Sequence, residues 1–89
     1  KPDFADAHLN LGIILIDLGQ LKEAEISTRK AIELKPDFAD AHLNLGSILR
    51  DLGKNENATL CLEKTLEIRP WSIQALYGLT HTCESESIS

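Results

Sequence analysis

Several features that would assign a chemistry directly are missing from this 89-residue sequence. It contains no run of about 18 apolar residues, so no segment is expected to span a membrane. Its 14 acidic residues outnumber its 9 basic ones, and no group of lysines and arginines forms a stripe. Because nucleic acid is held by a positive surface that neutralises phosphates, nucleic acid is not an expected partner either.

Signatures of catalysis and of metal binding are also missing. The sequence has no glycine-rich phosphate loop, no nucleophile elbow and no paired-carboxylate motif. Cys61 and Cys83 lie far apart without a second pair, so we expect isolated thiols in a reducing compartment such as the cytoplasm. His81 lies near Cys83 without a further ligand. We therefore expect no catalytic residue, no metal ion and no cofactor, and we do not expect an enzyme.

An exact internal repeat is the strongest feature that is present. The residues from Lys1 to Gly12 return letter for letter from Lys35 to Gly46, at an offset of 34 residues. The same register continues through Arg69 to Leu79, although the letters there have drifted. A period of this length indicates a helical repeat array in which each unit is a pair of antiparallel helices.

The letters within the period resemble those of the tetratricopeptide repeat family. With Ala5 as the first position, the matching residues are Leu11, Gly12, Ala24, Ala31 and Pro36 in the first unit and Leu45, Gly46, Ala58 and Pro70 in the second. The sequence departs from the family at Thr65, where a small alanine is usual, and at the fourth position of each unit, where an aromatic is usual. That fourth position holds His8, His42 and Leu76. In style the repeats are most similar to bacterial arrays and to those of O-linked N-acetylglucosamine transferase.

This resemblance implies an all-α fold, a right-handed solenoid of antiparallel helix pairs with about 2.5 units and five helices. The units are expected at residues 5–38 and 39–72, with a partial unit at 73–83 and a polar tail at 84–89. A unit covers its apolar face only by stacking on a neighbour, and about three units are usually needed for stability. The sequence is therefore expected to be a fragment of a longer array.

Helix boundaries can be predicted from local signals. Each first helix is expected to begin near a phenylalanine, with an aspartate as its N-cap and another in its first turn; these are Asp3 and Asp6, then Asp37 and Asp40. Gly19 and Gly53 are expected to end these helices in the left-handed conformation. The partner helices are predicted at about Leu21–Leu34 and Asn55–Ile68, and a fifth helix at about Ser72–Cys83.

Apolar spacing predicts which helix faces pack. The pattern on the first helix of each unit comprises Ala7, Leu11, Ile14, Leu15 and Leu18, then Ala41, Leu45, Ile48, Leu49 and Leu52. On the partner helices the inward positions are Ala24, Ala31, Ile32, Ala58, Leu62 and Leu66. Gly12 and Gly46 stand mid-helix, where glycine costs about 1 kcal/mol relative to alanine. We expect that each glycine lets the partner helix approach closely.

The resemblance also implies a concave groove lined by the first helix of each unit. The groove candidates are Asn10, Ile13, Asp17, Asn44, Arg50, Asp51, Gln74, Tyr77 and His81. Asn10 and Asn44 are the sharpest of these, because a side-chain amide both donates and accepts and can pair with a peptide backbone of any sequence. In the transferase repeats an asparagine at this position holds extended polypeptide. The alternative is that both asparagines only cap or bridge neighbouring helices.

Charge along the groove suggests which peptides it accepts. The clamp that other members use for acidic chaperone tails is not expected, because Leu9, Ile13, Gln74 and Gly78 replace its residues and only Asn44 matches. Acidic residues at Asp6, Asp17, Asp40 and Asp51 oppose the single Arg50, a balance that favours neutral or basic segments. For Asp6 and Asp40 the alternative is a purely structural role at the helix starts.

The function expected from the sequence is protein interaction, with the groove presented to an extended peptide or a partner helix. One alternative is a substrate-recruiting or oligomerising segment of a larger transferase, and another is a structural spacer. His8 and His42 are expected to pack between helices rather than to act in catalysis. Trp71, Ile73 and Leu76 make the last helix apolar, so either a further helix covers it or the chain self-associates there.

Overall fold

The computed structural model describes residues 4–79, and all the regular secondary structure within them is helical. The four complete helices are α1 (Phe4–Asp17), α2 (Leu21–Leu34), α3 (Ala39–Asp51) and α4 (Asn55–Ile68). Residues 73–79 are also helical and are called α5 below. The bounds of α2 and α4 agree with those predicted from the sequence, and the chain forms the expected all-α solenoid.

Two glycines end the first helix of each pair. Gly19 has φ +80° and Gly53 has φ +86°, a left-handed conformation that side chains with a Cβ atom rarely adopt. After each glycine the chain closes back on the helix: the Gln20 amide donates to the Leu15 carbonyl at 2.9 Å, and the Lys54 amide donates to the Leu49 carbonyl at 2.8 Å. These are the hydrogen bonds of a Schellman motif, so the predicted glycine stops are confirmed.

The start of α3 differs from the prediction. Phe38 occupies the N-cap position with φ −79° and ψ 93°, and no side chain caps the helix, so the prediction that Asp37 is the cap is wrong. The reason is a turn before the helix, in which the Phe38 amide donates to the Lys35 carbonyl at 3.0 Å. This turn places Asp37 one residue too early to reach the free amides. Asp40 lies in the first turn as predicted, and Asp3 is outside the described residues.

Helix pairing within each unit depends on a very close approach at the two mid-helix glycines. A Cβ atom on Gly12 would lie 2.6 Å from Thr28 Oγ1 and 3.5 Å from the Ala24 carbonyl oxygen. A Cβ atom on Gly46 would lie 3.1 Å from both Cγ and Cδ2 of Leu62. The expectation that these glycines admit the partner helix is confirmed, because a Cβ atom at either position would lie closer to a side chain of that helix than ordinary van der Waals contact allows.

The core lies between the two units. Leu45, Ile48 and Leu49 of α3 are almost fully buried, and Ile32 of α2 packs against the cluster that Leu45 and Leu49 form with Ala58. A second cluster joins Leu9, Ala31 and Ala41, so the two repeats share one apolar interface. The helices stack tightly, because the small residues Ala31, Ala41 and Ala58 have no exposed surface.

Several apolar residues of α1 that repeat those of α3 are exposed. Leu11 is 45%, Ile14 is 54% and Leu18 is 65% exposed, although they repeat the pattern that is buried in α3. The difference arises because α2 covers this face of α3, whereas no helix within residues 4–79 covers the corresponding face of α1. The apolar pattern therefore predicts which face packs, and the neighbouring unit decides whether it is buried.

Two buried threonines on the partner helices behave differently. Thr65, which departs from the family's alanine, is only 1% exposed and donates its hydroxyl to the Cys61 carbonyl at 3.0 Å. Thr28 is fully buried, and its Oγ1 has no hydrogen-bond partner. An unsatisfied buried hydroxyl is destabilising because it has lost water without a replacement. Thr28 thus places an unsatisfied polar group at the α1–α2 crossing.

Replacing Gly12 with leucine is expected to destabilise the fold. The new side chain would project into Thr28 and the α2 backbone, and overpacking of this kind costs about 3 kcal/mol. The matched control is Asn10→Leu, which adds the same side chain at an exposed position of the same helix. Urea denaturation followed by circular dichroism measures the difference. Equal midpoints for the two variants would show that α1 and α2 do not pack this closely.

Thr28→Val is expected to stabilise the chain by about 1 kcal/mol, because it removes a buried hydroxyl that has no partner and keeps nearly the same shape. Thr65→Val is the matched control, since it removes a hydroxyl that does hold a hydrogen bond. Its expected effect is neutral or destabilising. Thermal melting of both variants tests the contrast, and a loss of stability in Thr28→Val as large as that in Thr65→Val would contradict it.

Candidate functional site

Two adjoining depressions run across α1, α3 and α5, and together they form what is called the groove below. The first, of about 500 Å³, is lined by Asp6, Leu9, Asn10, Ile13, Phe38 and Asp40. The second, of about 300 Å³, is lined by Ser47, Arg50, Leu62, Tyr77 and Gly78. Leu43, Asn44 and Gln74 line both. The shared residues make the two depressions continuous.

Most of the side chains predicted for the groove are brought together there. They are Asn10, Ile13, Asn44, Arg50, Gln74 and Tyr77. Asp17 and Asp51 are exposed but line neither depression, because they are the last residues of α1 and α3 and lie beyond the lining turns. His81 is outside the described residues. The groove is therefore shorter and less acidic than the sequence alone suggested.

Two further residues line the groove that were not among the sequence candidates. Phe38 precedes α3, and the Lys35 ammonium lies 4.9 Å from the centre of its ring. Leu62 reaches the groove from α4 because Gly78 leaves room for it: a Cβ atom on Gly78 would lie 2.9 Å from Leu62 Cδ1. In the sequence, the only signal that Leu62 lines the groove was a single glycine, Gly78, in the middle of the predicted fifth helix.

The two asparagines occupy equivalent places in successive units. Asn10 is exposed and Asn44 is half-buried, and both line the first depression. Within residues 4–79 neither side-chain amide makes a hydrogen bond to another residue. The alternative in which they cap or bridge neighbouring helices therefore has no contact to support it in this part of the chain.

One of the groove's acidic residues is engaged in an ion pair. Arg69 Nη1 lies 3.2 Å from Asp40 Oδ1, which ties the residue after α4 to the first turn of α3. Both side chains are substantially exposed, so the pair contributes little to stability. It nonetheless offsets the charge of Asp40 within the groove. Together with the positions of Asp17 and Asp51, this leaves Asp6 and Arg50 as the principal opposed charges of the lining.

The histidine of the second unit has a packing contact. His42 is 9% exposed, and its Nε2 donates to the Pro36 carbonyl at 2.8 Å, which fastens α3 to the turn before it. This contact agrees with the structural role expected for the fourth position. Within residues 4–79 there is no group of three or more histidine, cysteine, aspartate or glutamate side chains that could hold a metal ion.

Cys61 lies at a separate apolar depression between α2, α3 and α4 and is a free thiol. Burial raises the pKa of the thiol, Arg29 lowers it and Glu25 raises it, and the burial effect is the largest. Because the thiolate is the reactive form, a raised pKa makes this cysteine a poor nucleophile near neutral pH. Its surroundings are those of a packing residue.

The helices of the described region are all too short or too polar to cross a membrane, according to their length and hydropathy. The longest of them contain 14 residues. A membrane-crossing helix needs about 20 predominantly apolar residues.

Comparison with protein families agrees with the repeat geometry. A tetratricopeptide repeat model matches residues 5–38, and a second tetratricopeptide repeat model matches residues 39–70. Together they cover well over half of the 89-residue chain. The chain belongs to the tetratricopeptide repeat family. No curated protein sequence matches it.

Solved tetratricopeptide structures have the same fold. MamA superposes with a TM-score of 0.92 at 28% identity, over 93% of this chain and 48% of the MamA chain. The second TPR domain of human RPAP3, in complex with the HSP70 peptide SGPTIEEVD, gives 0.84 at 26% identity over 88% and 65%. The first TPR of Spaghetti (RPAP3), bound to the HSP90 peptide SRMEEVD, gives 0.91 at 22% over 93% and 66% and shows the fold alone. This chain thus spans about half the length of MamA.

Proposed function

We propose that this tetratricopeptide chain is a protein-interaction module whose groove holds an extended peptide by its backbone. The observation that carries the proposal is the pair Asn10 and Asn44. They stand at the same position of successive repeats, they line one groove, and within residues 4–79 their amides are engaged with no other residue. Asn10 is exposed and Asn44 is half-buried, so solvent reaches both side chains and a peptide group can take the place of water on either amide.

Stacked repeats place equivalent side chains in a row. Here Asn10 of α1 and Asn44 of α3 form a row of side-chain amides, called the asparagine ladder below. Both residues line the same depression, and an extended peptide advances about 3.3 Å per residue. The two amides would then meet the peptide backbone at different residues along one extended segment. Because each amide can donate to a carbonyl and accept from an N–H group, the ladder would bind the backbone and leave the side chains to the rest of the lining.

The apolar lining supplies the complementary contacts. Leu9, Ile13 and Leu43 line the first depression beside the two asparagines. Burial of apolar surface contributes about 25 cal/mol per Å², so a peptide side chain seated there would add affinity with little sequence selectivity. The human RPAP3 domain, which holds an HSP70 peptide, supports a peptide as the partner class. The same chaperone tail is not expected here, because Leu9 and Ile13 replace two of the polar side chains that hold such tails.

The test is a peptide array probed with the wild-type chain and with the Asn10→Ala/Asn44→Ala double variant. Each lost hydrogen bond is worth about 1 kcal/mol, so we expect the affinity for retained peptides to fall on the order of tenfold or more. The matched control is Asn57→Ala, which removes an exposed asparagine from α4 outside the groove.

Three results would contradict the proposal. Peptides that bind the double variant as tightly as the wild type would show that the asparagines do not hold them. An array that retains no peptide would favour the alternative in which the repeats serve only as a structural spacer. Equal losses in Asn57→Ala would show that the effect is not specific to the groove.

A further inference from the structure

The two ends of the groove carry opposite charges that are not neutralised within the described chain. Within residues 4–79, the ion pairs are Arg29–Glu25, Lys30–Glu33, Lys54–Glu25, Lys64–Glu67 and Arg69–Asp40. Asp6 and Arg50 belong to none of these. Asp6 lines the first depression and Arg50 lines the second, and the shared residues Asn44 and Gln74 lie between them.

The Arg50 end has the donors that a carboxylate needs. Arg50 is half-buried, so water screens its charge less than that of a fully exposed side chain. Asn44, Ser47 and Gln74 line the same depression and add two amide groups and a hydroxyl. A planar guanidinium binds a carboxylate through two parallel hydrogen bonds, and neighbouring neutral donors complete the shell of the anion. The cavity of about 300 Å³ has room for a short acidic side chain or a chain terminus.

The Asp6 end has the opposite character. Asp6 and Asp40 both line the first depression, and Arg69 offsets the charge of Asp40 alone. Acceptors also predominate there, because the two carboxylates only accept, whereas the neighbouring side-chain amides both donate and accept. Lysine and arginine side chains are the peptide groups that such a set of acceptors attracts.

We propose that the groove selects peptides that carry a carboxylate and a basic side chain some residues apart, with the carboxylate at Arg50 and the basic group at Asp6. This separation of charge would also fix the direction in which the peptide lies, which the asparagine ladder alone does not do. The inference rests on the proposed function, since it assumes that a peptide occupies the groove. It replaces the preference for neutral or basic segments, which was predicted from the charges along the groove, with a preference for peptides that carry one acidic and one basic group.

Other acidic residues near the Arg50 end do not remove the contrast. Asp51 follows Arg50, and Asp17 ends α1, but neither lines the depression, and both are exposed. Charges exposed to water are screened over about 8 Å at physiological ionic strength. Arg50, in contrast, meets the ligand directly. The first repeat has no arginine at the equivalent position, which is occupied by Ile16.

The experiment is selection of a random decapeptide display library on the wild-type chain and on Arg50→Glu. The matched control is Lys22→Glu, which makes the same change of charge at an exposed position of α2 outside the groove. We expect acidic residues, paired with basic ones at a fixed spacing, among peptides selected by the wild type and by Lys22→Glu. Arg50→Glu should select basic residues in place of the acidic ones.

Affinities of selected peptides then test the individual contact and the source of the carboxylate. Replacing the peptide's acidic residue with its amide should weaken wild-type binding by about fivefold and leave binding to Arg50→Gln unchanged. In a parallel measurement the peptide's C-terminus is amidated. The replacement that weakens binding to the wild type but not to Arg50→Gln identifies the carboxylate that Arg50 binds. Arg50→Gln removes the charge with little change in shape, so it covers the case in which Arg50→Glu fails to fold.

The outcomes separate this inference from the proposed function. One outcome overturns the two-pole selection but supports peptide binding in the groove. In that outcome the selected peptides lose affinity in Asn10→Ala/Asn44→Ala but show no charge preference and no coupling to Arg50. A library from which the wild type enriches nothing would contradict the groove itself and the inference together.

Discussion

The close approach of the two helices within each unit is the constraint on which the rest of the structure depends. At Gly12 and Gly46 the partner helix comes so near that no Cβ atom fits without displacing Thr28 or Leu62. This contact sets the face on which α1 meets α2 and α3 meets α4. The remaining faces of α1 and α3 are thereby left for two other tasks, which are stacking on the neighbouring unit and lining the groove.

Much of this arrangement can be predicted from the sequence because its causes are local. The 34-residue period, the glycine stops and the apolar spacing gave the bounds of α2 and α4 and the close approach at the mid-helix glycines. The cap of α3 was predicted wrongly, although its start near Phe38 was not, because a turn from Lys35 to Phe38 displaces Asp37 from the capping position. Local propensity does not reveal how the chain enters a helix when the preceding turn has its own hydrogen bond.

Other features depend on contacts between distant segments, and these could not be predicted. Asp40 and Arg69 are 29 residues apart, and their ion pair changes the charge that the groove presents. Leu62 enters the groove only because Gly78 of the next unit leaves space for it. The exposure of Leu11 against the burial of Leu45 makes the same point, since identical letters take opposite environments when only one has a neighbouring helix.

Some positions of the first helix carry the same residue in both repeats, and others differ. Asn10 and Asn44 are the same in both units, whereas Ile13 and Ile16 of the first unit are replaced by Ser47 and Arg50 in the second. A constant amide suits the constant backbone of a peptide, and the variable positions suit its side chains. The duplicated segment thus supplies both the packing glycine and the groove-lining asparagine, two residues apart on one helix.

Peptide binding through the asparagines is tested most directly by the side-chain amide signals of Asn10 and Asn44 in a nitrogen-15 NMR spectrum when a selected peptide is added. If both amides hold the peptide backbone, both signals shift together and saturate at one affinity, while the signal of Asn57 on α4 stays in place. Shifts confined to the signals of Asn57 or of residues around Cys61, with the signals of Asn10 and Asn44 unchanged, would contradict peptide binding through the asparagines.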